Sequence, residues 1–156
     1  MKIYVKTWET VITGNLDDIW QFFSRPENLE RITPADMSFE ILTDLKGVEM
    51  YSGMLIQYKV KPFSFMKTDW VTEITFVQKH SYFIDEQRVG PFSLWHHEHH
   101  FEEVSTGILM RDILHYALPF GPVGRILNRT GISRRIDRIF DHRESVIQEI
   151  YPRIES

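Results

Sequence analysis

The sequence predicts an α+β fold with seven antiparallel strands, two short helices after the first strand, and one long C-terminal helix. Much of the chain alternates between polar and apolar residues with a period of two, which is typical of strands. The breaks between these segments are short, and short breaks favour antiparallel neighbours. From residue 122 onward, apolar residues recur at intervals of three and four, which indicates an amphipathic helix. A curved sheet wrapped around this helix would bury its apolar face.

The first strand and the two short helices are predicted from the N-terminal part of the chain. Residues 2–12 alternate in polarity and include many β-branched side chains, which favours a strand. Asn15 is the predicted N-cap of a helix over TGNLDDIWQFF, because its side-chain oxygen can accept a hydrogen bond from a free backbone N–H. The segment SRPENLERIT predicts a second short helix, with Pro26 in its first turn and Thr33-Pro34 at its end.

Six further strands and the long helix are predicted from residue 37 onward. The strands are expected at 37–43, 53–61, 67–78, 81–88, 92–104 and 107–118. Gly121-Pro122 opens the helix and Tyr151-Pro152 closes it, which gives a helix of about 28 residues. Gly131 lies inside this helix and is expected to bend or weaken it, because glycine is a poor helix former.

The length and composition are those of an ordinary globular domain. The chain has 156 residues, of which 42% are hydrophobic and 26% charged, so a single domain over residues 1–156 is expected. The net charge of −4 gives no indication of a general nucleic-acid binder. The absence of cysteine excludes disulfides, thiol nucleophiles and cysteine-ligated zinc, and it fits a cytoplasmic protein. No apolar run suits a membrane span, and the alternating N-terminus is unlike a signal peptide.

Two consecutive segments around residue 100 carry a family resemblance. GPFSLWHHEHHFEEV contains the pattern W-x-H-x-H-x-F, and the following RDILHYALPFGPVGR contains D-x-x-x-Y-x-L-P. The residues in these patterns are Trp95, His97, His99, Phe101, Asp112, Tyr116, Leu118 and Pro119. Together with the order of the predicted elements, they resemble the bacterial ligand-binding proteins of unassigned substrate in the START-like, or SRPBCC, superfamily, which includes Bet v 1-like carriers.

The resemblance spans essentially the whole chain and implies a helix-grip fold. In that fold the curved sheet wraps the long helix, and ligands enter a cavity between them near one end. The resemblance implies no particular ligand, because the superfamily includes carriers, sensors and polyketide-cyclase-like enzymes, and a fold alone does not choose among them.

The segment WHHEHHF places four histidines on one predicted strand. Alternate side chains of a strand face opposite ways, so the histidines form two unrelated pairs. The face predicted to point inward carries Trp95, His97, His99 and Phe101. The face predicted to point to solvent carries His96, Glu98, His100 and Glu102. The outer set is interpreted as a solvated face, with an adventitious metal site as the alternative.

The inner pair, His97 and His99, needs hydrogen-bond partners if it is buried. The next strand offers Asp112, which could reach either histidine across a hairpin near residues 105–107 and fix its tautomer or stabilise its charge. Three interpretations stay open: a satisfied polar network in the core, a polar anchor inside a ligand cavity, or a zinc or iron site of two histidines and one carboxylate. The polar anchor is favoured, so no metal or other cofactor is expected. A histidine held by Asp112 could also act as a general base, so these three residues are the candidate catalytic group.

Three predicted loops each contain Pro-Phe. A meander turns at alternating ends, so KPFSFM, GPF and LPFGPVG are expected at the same end of the sheet. Their phenylalanines are Phe63, Phe65, Phe92 and Phe120. They form an apolar portal for a hydrophobic ligand or a patch that touches a membrane or partner, or each of them simply packs under its own loop. No basic cluster accompanies this end, so stable membrane association is not expected.

Two further strands offer cavity-lining candidates by alternation. Trp70, Thr72, Ile74 and Phe76 share one face of the fourth strand, and the resemblance favours this face as inward. Phe83, Asp85 and Gln87 are the corresponding candidates on the fifth strand, with a solvated face as the alternative for Asp85.

The long helix carries six arginines interleaved with acidic residues. They are Arg125, Arg129, Arg134, Arg135, Arg138 and Arg143. This pattern predicts a solvated face with salt bridges along it.

The function predicted from these observations is the binding of a small or medium hydrophobic molecule between the sheet and the C-terminal helix. Polar contacts are expected from His97, His99, Asp112 and Tyr116, apolar walls from Trp70 and Trp95, and portal contacts from Phe63, Phe92 and Phe120. One alternative is a cyclase- or dehydratase-like enzyme that uses the histidines and Asp112 as an acid–base group. The other is a structural or interaction protein whose core is filled by its own aromatic residues. No nucleic acid is expected as a partner, and the chain is expected to be a monomer or a weak dimer.

Overall fold

The computed structural model describes residues 1–63 and 66–152, and of Met66 only the backbone. It contains a seven-stranded antiparallel sheet in the order β1-β7-β6-β5-β4-β3-β2. The strands are β1 (Tyr4–Ile12), β2 (Glu40–Ile41), β3 (Met54–Phe63), β4 (Met66–Gln78), β5 (Tyr82–Val89), β6 (Leu94–Val104) and β7 (Gly107–Ala117). The predicted helix-grip architecture is confirmed, with the short helices after β1 and the long helix at the end of the chain.

The short helices lie where the sequence predicts them. Helix α1 (Leu16–Phe23) begins after Asn15, whose side chain accepts a hydrogen bond from the backbone N–H of Asp18 at 2.8 Å. The second helix (Pro26–Ile32) is a 3₁₀ helix with Pro26 in its first turn. A further 3₁₀ turn (Ala35–Met37) follows it.

The second strand is much shorter than the predicted 37–43. Ser38 adopts a left-handed conformation with a φ of 45°, which prevents an extended path from residue 37. After β2 the backbone N–H groups of Leu42 and Thr43 both reach the carbonyl of Gln57, so the regular ladder ends there.

The C-terminal helix has a π-helical turn after its first six residues. It consists of α2 (Pro122–Leu127), the π turn (Asn128–Ile132) and α3 (Ser133–Ile150). Gly131, the predicted weak point, lies in this turn. The extra residue of the π turn changes which side of the helix faces the sheet. The turn also buries Asn128, whose side-chain oxygen accepts a hydrogen bond from the Tyr116 hydroxyl at 2.9 Å.

Helix α3 packs on the inner face of the sheet through Ile136, Phe140 and Ile147. The Phe140 ring stacks on Trp8 of β1 with 3.8 Å between the centroids. Lys6 of β1 forms an ion pair with Asp137 at 2.6 Å. These contacts hold the helix against β1, the strand at one edge of the sheet.

One predicted facing on β4 is wrong. Trp70, Thr72 and Ile74 point inward as expected, but Phe76 is 40% exposed. Ile74 pairs with Asp85 and Phe76 with Ile84, so β4 has one extra residue at this point, a β-bulge. The bulge turns Phe76 to the outer face, where it stacks on Tyr82, and it turns Val77 to the core.

No helix among residues 1–63 and 66–152 combines the length and apolar character that a membrane crossing requires.

Candidate functional site

Three neighbouring strands bring four ionisable side chains together on the inner face of the sheet. The register pairs Asp85 of β5 with His97 of β6, and it pairs His99 of β6 with Asp112 of β7. Side chains at paired positions point to the same face, so all four lie side by side. The inward assignment of His97 and His99 is confirmed, and each is 4% exposed.

The four side chains form a closed ring of contacts that we call the His–Asp ring. Oδ1 of Asp112 lies 2.9 Å from Nε2 of His97 and 3.1 Å from Nδ1 of His99. Oδ2 of Asp85 lies 2.7 Å from Nε2 of His99 and 3.3 Å from Nδ1 of His97. The expectation that Asp112 reaches one of the histidines is therefore confirmed for both.

The charges in the ring stabilise one another. Burial raises the pKa of the Asp85 carboxyl, but hydrogen bonds and positive charge from His97 and His99 outweigh it and hold that pKa well below its usual range. Burial likewise opposes ionisation of Asp112, and the two histidines together with Arg143 lower its pKa well below the ordinary value. Burial lowers the pKa of His97, and the hydrogen bonds to Asp112 and Asp85 more than compensate, so this pKa is raised.

A cavity of about 150 Å³ lies between the sheet and α3, with the His–Asp ring at one wall. Six of the predicted ligand-binding residues line it: Trp70, Trp95, His97, His99, Phe63 and Phe92. Asp85 also lines it, which the sequence offered only as one of two possibilities.

The other three predicted ligand-binding residues, Tyr116, Asp112 and Phe120, do not line this cavity. Tyr116 is fully buried and its hydroxyl is bonded to Asn128. Asp112 lies behind the two histidines and lines a much smaller neighbouring space beside Trp8. Phe120 is 77% exposed. Phe65, which the sequence places with the other loop phenylalanines, lies outside the described residues.

Aromatic rings form the wall at the loop end of the cavity. Trp70 packs edge-on against Trp95 at 5.3 Å between centroids, and Phe92 lies 4.8 Å from Trp95 and 6.4 Å from Phe63. Gln87 fixes the loop between β5 and β6, because its side chain bonds both the N–H and the carbonyl of Phe92. Among the described residues, the buried indole N–H of Trp70 has no hydrogen-bond partner.

Two of the six helix arginines do not follow the prediction of a solvated face. Arg143 lines the cavity with its side chain only 12% exposed, 3.6 Å from Oδ1 of Asp112 and over the ring of Phe140. Arg135 also lines the cavity, and it donates hydrogen bonds to the carbonyl of Pro62 and to Asp36. The sequence shows only alternating charges on the helix, and a helical wheel centred on Ile136 and Phe140 is the signal that would have placed both arginines at the edge of the buried face.

The outer histidines form a separate polar network. His96 contacts Glu86 at 2.7 Å, and His100 contacts Glu98 at 2.8 Å. These side chains are between 23% and 32% exposed, so the face is half-buried under its own ion pairs rather than fully solvated. His115 of β7 completes a group with His96 and Glu98 whose ligand atoms lie within 4.8 Å of one another.

Comparison with known proteins identifies the fold. No protein-family profile matches the chain, and no curated protein sequence matches it significantly. Among solved structures, norcoclaurine synthase from Thalictrum flavum in complex with a transition-state analogue is similar over 96% of each chain, with a TM-score of 0.66 and 14% identity. A protein from Thermus thermophilus matches over 94% of this chain and 95% of its own, with a TM-score of 0.66 and 14% identity. Ara h 8.0201 matches over 95% of this chain and 99% of its own, with a TM-score of 0.59 and 9% identity.

The chain therefore has the helix-grip fold of Bet v 1-like proteins, as the sequence predicts. At these identities the likeness defines the fold, and the function has to be argued from the site.

Proposed function

We propose that the protein binds a small, mainly apolar molecule in the cavity between the sheet and α3, as a carrier or sensor. The observation that carries this proposal is a cavity with aromatic and aliphatic walls and one polar wall at the His–Asp ring. Ligand pockets have this composition, since apolar walls supply affinity and a few placed polar groups orient the molecule. A cytoplasmic location stays a prediction of the sequence.

The volume of the cavity limits the size of the ligand. A dry cavity of about 150 Å³ accommodates a molecule of the size of benzene. A one-ring compound therefore fits the cavity of about 150 Å³ as it stands. A larger ligand requires the Phe63 and Phe92 side chains to move, and both belong to loop ends rather than to the centre of the sheet.

The polar groups in the cavity define what the ligand should carry. Arg143 supplies a positively charged donor at the polar wall. The indole N–H of Trp70, which has no acceptor within the part of the chain that the structure describes, is a second donor, and a buried donor without an acceptor is destabilising. An oxygen acceptor on the ligand would satisfy these groups, so phenols, carboxylates and enolates are the favoured chemistries.

An enzymatic function is the second candidate, and the position of the histidines favours it. His97 and His99 both line the cavity, and each imidazole contacts Asp112 with one nitrogen and Asp85 with the other. Either imidazole can accept a proton from an enolisable substrate once its contact with Asp85, the carboxylate that also lines the cavity, opens. Norcoclaurine synthase has the same fold, so the architecture accommodates catalysis as well as binding. The third alternative, a filled core, is disfavoured by the cavity itself.

Native mass spectrometry and ligand-observed NMR test the binding proposal. The mass of the purified native protein is compared with the mass of the denatured protein, which reveals any bound molecule. Phenol and benzoate are then added to the protein. A matched pair of variants on α3 provides the control: Ile139→Trp fills the cavity, and Val146→Trp places the same indole side chain at a half-buried position that packs against the other side of the core. Binding that is lost in Ile139→Trp and kept in Val146→Trp supports the proposal. No adduct together with no saturation transfer to either compound would overturn it.

A further inference from the structure

We propose that Asp85, His97 and His99 bind one divalent transition-metal ion at the polar wall of the cavity, with Asp112 holding both imidazoles from behind. The three side chains offer one ligand atom each, and these atoms all lie within 4.8 Å of one another. Two histidines and one carboxylate form a recognised metal-binding set with positions left open for other ligands.

The number of hydrogen-bond donors is the first argument. Both ring nitrogens of His97 and both of His99 face carboxylate oxygens, which makes four nitrogen–oxygen contacts. A neutral imidazole has one N–H, so two neutral histidines supply only half of the donors that the ring requires. The ring is satisfied either by two extra protons or by a cation between Asp85 and the two nitrogens that face it. One divalent ion carries the same charge as the two protons it would replace.

The distances are the second argument. Zinc lies about 2.0–2.1 Å from imidazole nitrogen and carboxylate oxygen, so neighbouring ligands in a tetrahedral site are separated by about 3.3 Å. Oδ2 of Asp85 already lies 3.3 Å from Nδ1 of His97 and 2.7 Å from Nε2 of His99. A shift of the Asp85 side chain by less than about 1 Å would bring both separations to the required value.

The position of Asp112 is the third argument. It contacts Nε2 of His97 and Nδ1 of His99, which are the nitrogens that do not face Asp85. In metal sites a ligating histidine almost always donates its second N–H to a carboxylate or carbonyl, which fixes the ring and raises its basicity. One carboxylate oxygen does this here for two ligands at once. Arg143 lies 3.6 Å from the same oxygen and favours the ionised state of Asp112.

The donor set indicates which cations fit. Imidazole nitrogen suits zinc, iron, cobalt and nickel, whereas magnesium and calcium prefer sets made of oxygen alone. All three ligands line the cavity, so the open coordination positions face it. If the proposed function holds, an oxygen donor on the bound molecule would reach the metal directly.

The group on the outer face provides an internal control. On the opposite side of the sheet, the ligand atoms of His96, Glu98 and His115 also lie within 4.8 Å of one another. The His96 ring is held there by Glu86, and its side chain is more exposed than those of the inner histidines. Binding at this outer group would be adventitious and can be removed without touching the cavity.

The test is a titration of the full chain, stripped with EDTA, with Co²⁺ and Zn²⁺, and with Mg²⁺ as the negative control. Visible absorption of Co²⁺ reports its coordination, and calorimetry with Zn²⁺ reports stoichiometry. Asp85→Asn and His99→Gln each remove one ligand, Asp112→Asn removes the support behind them, and His96→Gln combined with His115→Gln removes the outer group. Circular dichroism confirms that each variant is folded. If either Asp85→Asn or His99→Gln fails to fold, the other variant still tests the site.

The expected result is one Co²⁺ per chain, with binding lost in Asp85→Asn or His99→Gln and unchanged in the outer double variant. Asp112→Asn should keep the stoichiometry and lower the affinity by roughly 10- to 100-fold. Absence of stoichiometric Co²⁺ binding, or binding that disappears only in the outer double variant, would overturn the inference. Phenol and benzoate binding to the stripped protein is measured in parallel, so that loss of the metal proposal and loss of the ligand proposal can be told apart.

Discussion

Oδ2 of Asp85 lies 2.7 Å from Nε2 of His99, although the two residues belong to different strands and are not directly paired. His99 is paired with Phe83, two residues before Asp85, and its ring stacks on the Phe83 ring at 4.2 Å. The imidazole of His99 thus packs on an aromatic ring while its Nε2 contacts Asp85. The strand register brings the four polar residues of the His–Asp ring together, and one of them also packs on an aromatic neighbour.

Loss of the Asp85 charge should destabilise the protein far more than loss of a similar surface charge. Removing one partner of a buried ion pair leaves the other uncompensated, and we expect Asp85→Asn to lower the free energy of unfolding of the metal-free protein by about 3 kcal/mol. Asp17 is the matched control, because it contacts His80 at 2.9 Å with both side chains at least 40% exposed. Asp17→Asn should change the same free energy by less than about 0.5 kcal/mol. Urea unfolding measures both, and equal effects would contradict the picture of a mutually dependent ring.

The free energy of unfolding should pass through a maximum at mildly acidic pH in the metal-free protein. The pKa of His97 is raised on folding, so its contribution is complete below the unfolded value of about 6.5 and is lost as pH rises through the folded value. The pKa values of Asp85 and Asp112 are lowered, so their contribution is complete above about 4 and is lost as pH falls toward the folded values. Urea midpoints between about pH 3 and pH 9 test this. His97→Gln should reduce the loss of unfolding free energy as pH rises above about 6.5. If that loss is unchanged in the variant, a group other than His97 causes it.

The sequence predicts the fold and three of the four residues of the His–Asp ring, namely His97, His99 and Asp112. Alternation along WHHEHHF is enough to separate His97 and His99 from the outer pair of histidines. A tight turn before Gly107 is enough to bring Asp112 opposite His99 on the neighbouring strand. The role of Asp85 depends on the register between β5 and β6, which no local pattern specifies. Phe76 shows the limit of alternation, because a single bulge at Thr75 turned it outward. Tyr116 was expected in the cavity since its face is inward, but the π turn brought Asn128 to its hydroxyl.

Tyr116 should therefore contribute to stability and not to ligand binding. Tyr116→Phe removes one buried hydrogen bond to Asn128, and we expect a loss of about 1 kcal/mol in the free energy of unfolding. The affinity for phenol or benzoate should stay within a factor of about two, because the hydroxyl does not face the main cavity. Thermal unfolding and NMR titration of the same sample give both values. An affinity that falls tenfold while stability is unchanged would restore Tyr116 as a ligand contact.

Arg143 should select ligands that carry a negative charge. Its side chain lines the cavity and is only 12% exposed, so solvent screens its charge weakly. Arg143→Met keeps most of the side-chain volume and removes the charge. A charge-assisted hydrogen bond contributes about 1.5 kcal/mol or more, so the affinity for benzoate should fall roughly tenfold while the affinity for phenol changes little. Arg138→Met, at an exposed position on the same helix, is the control and should alter neither. Equal losses for phenol and benzoate in Arg143→Met would mean that the arginine acts through packing against Phe140 rather than through its charge.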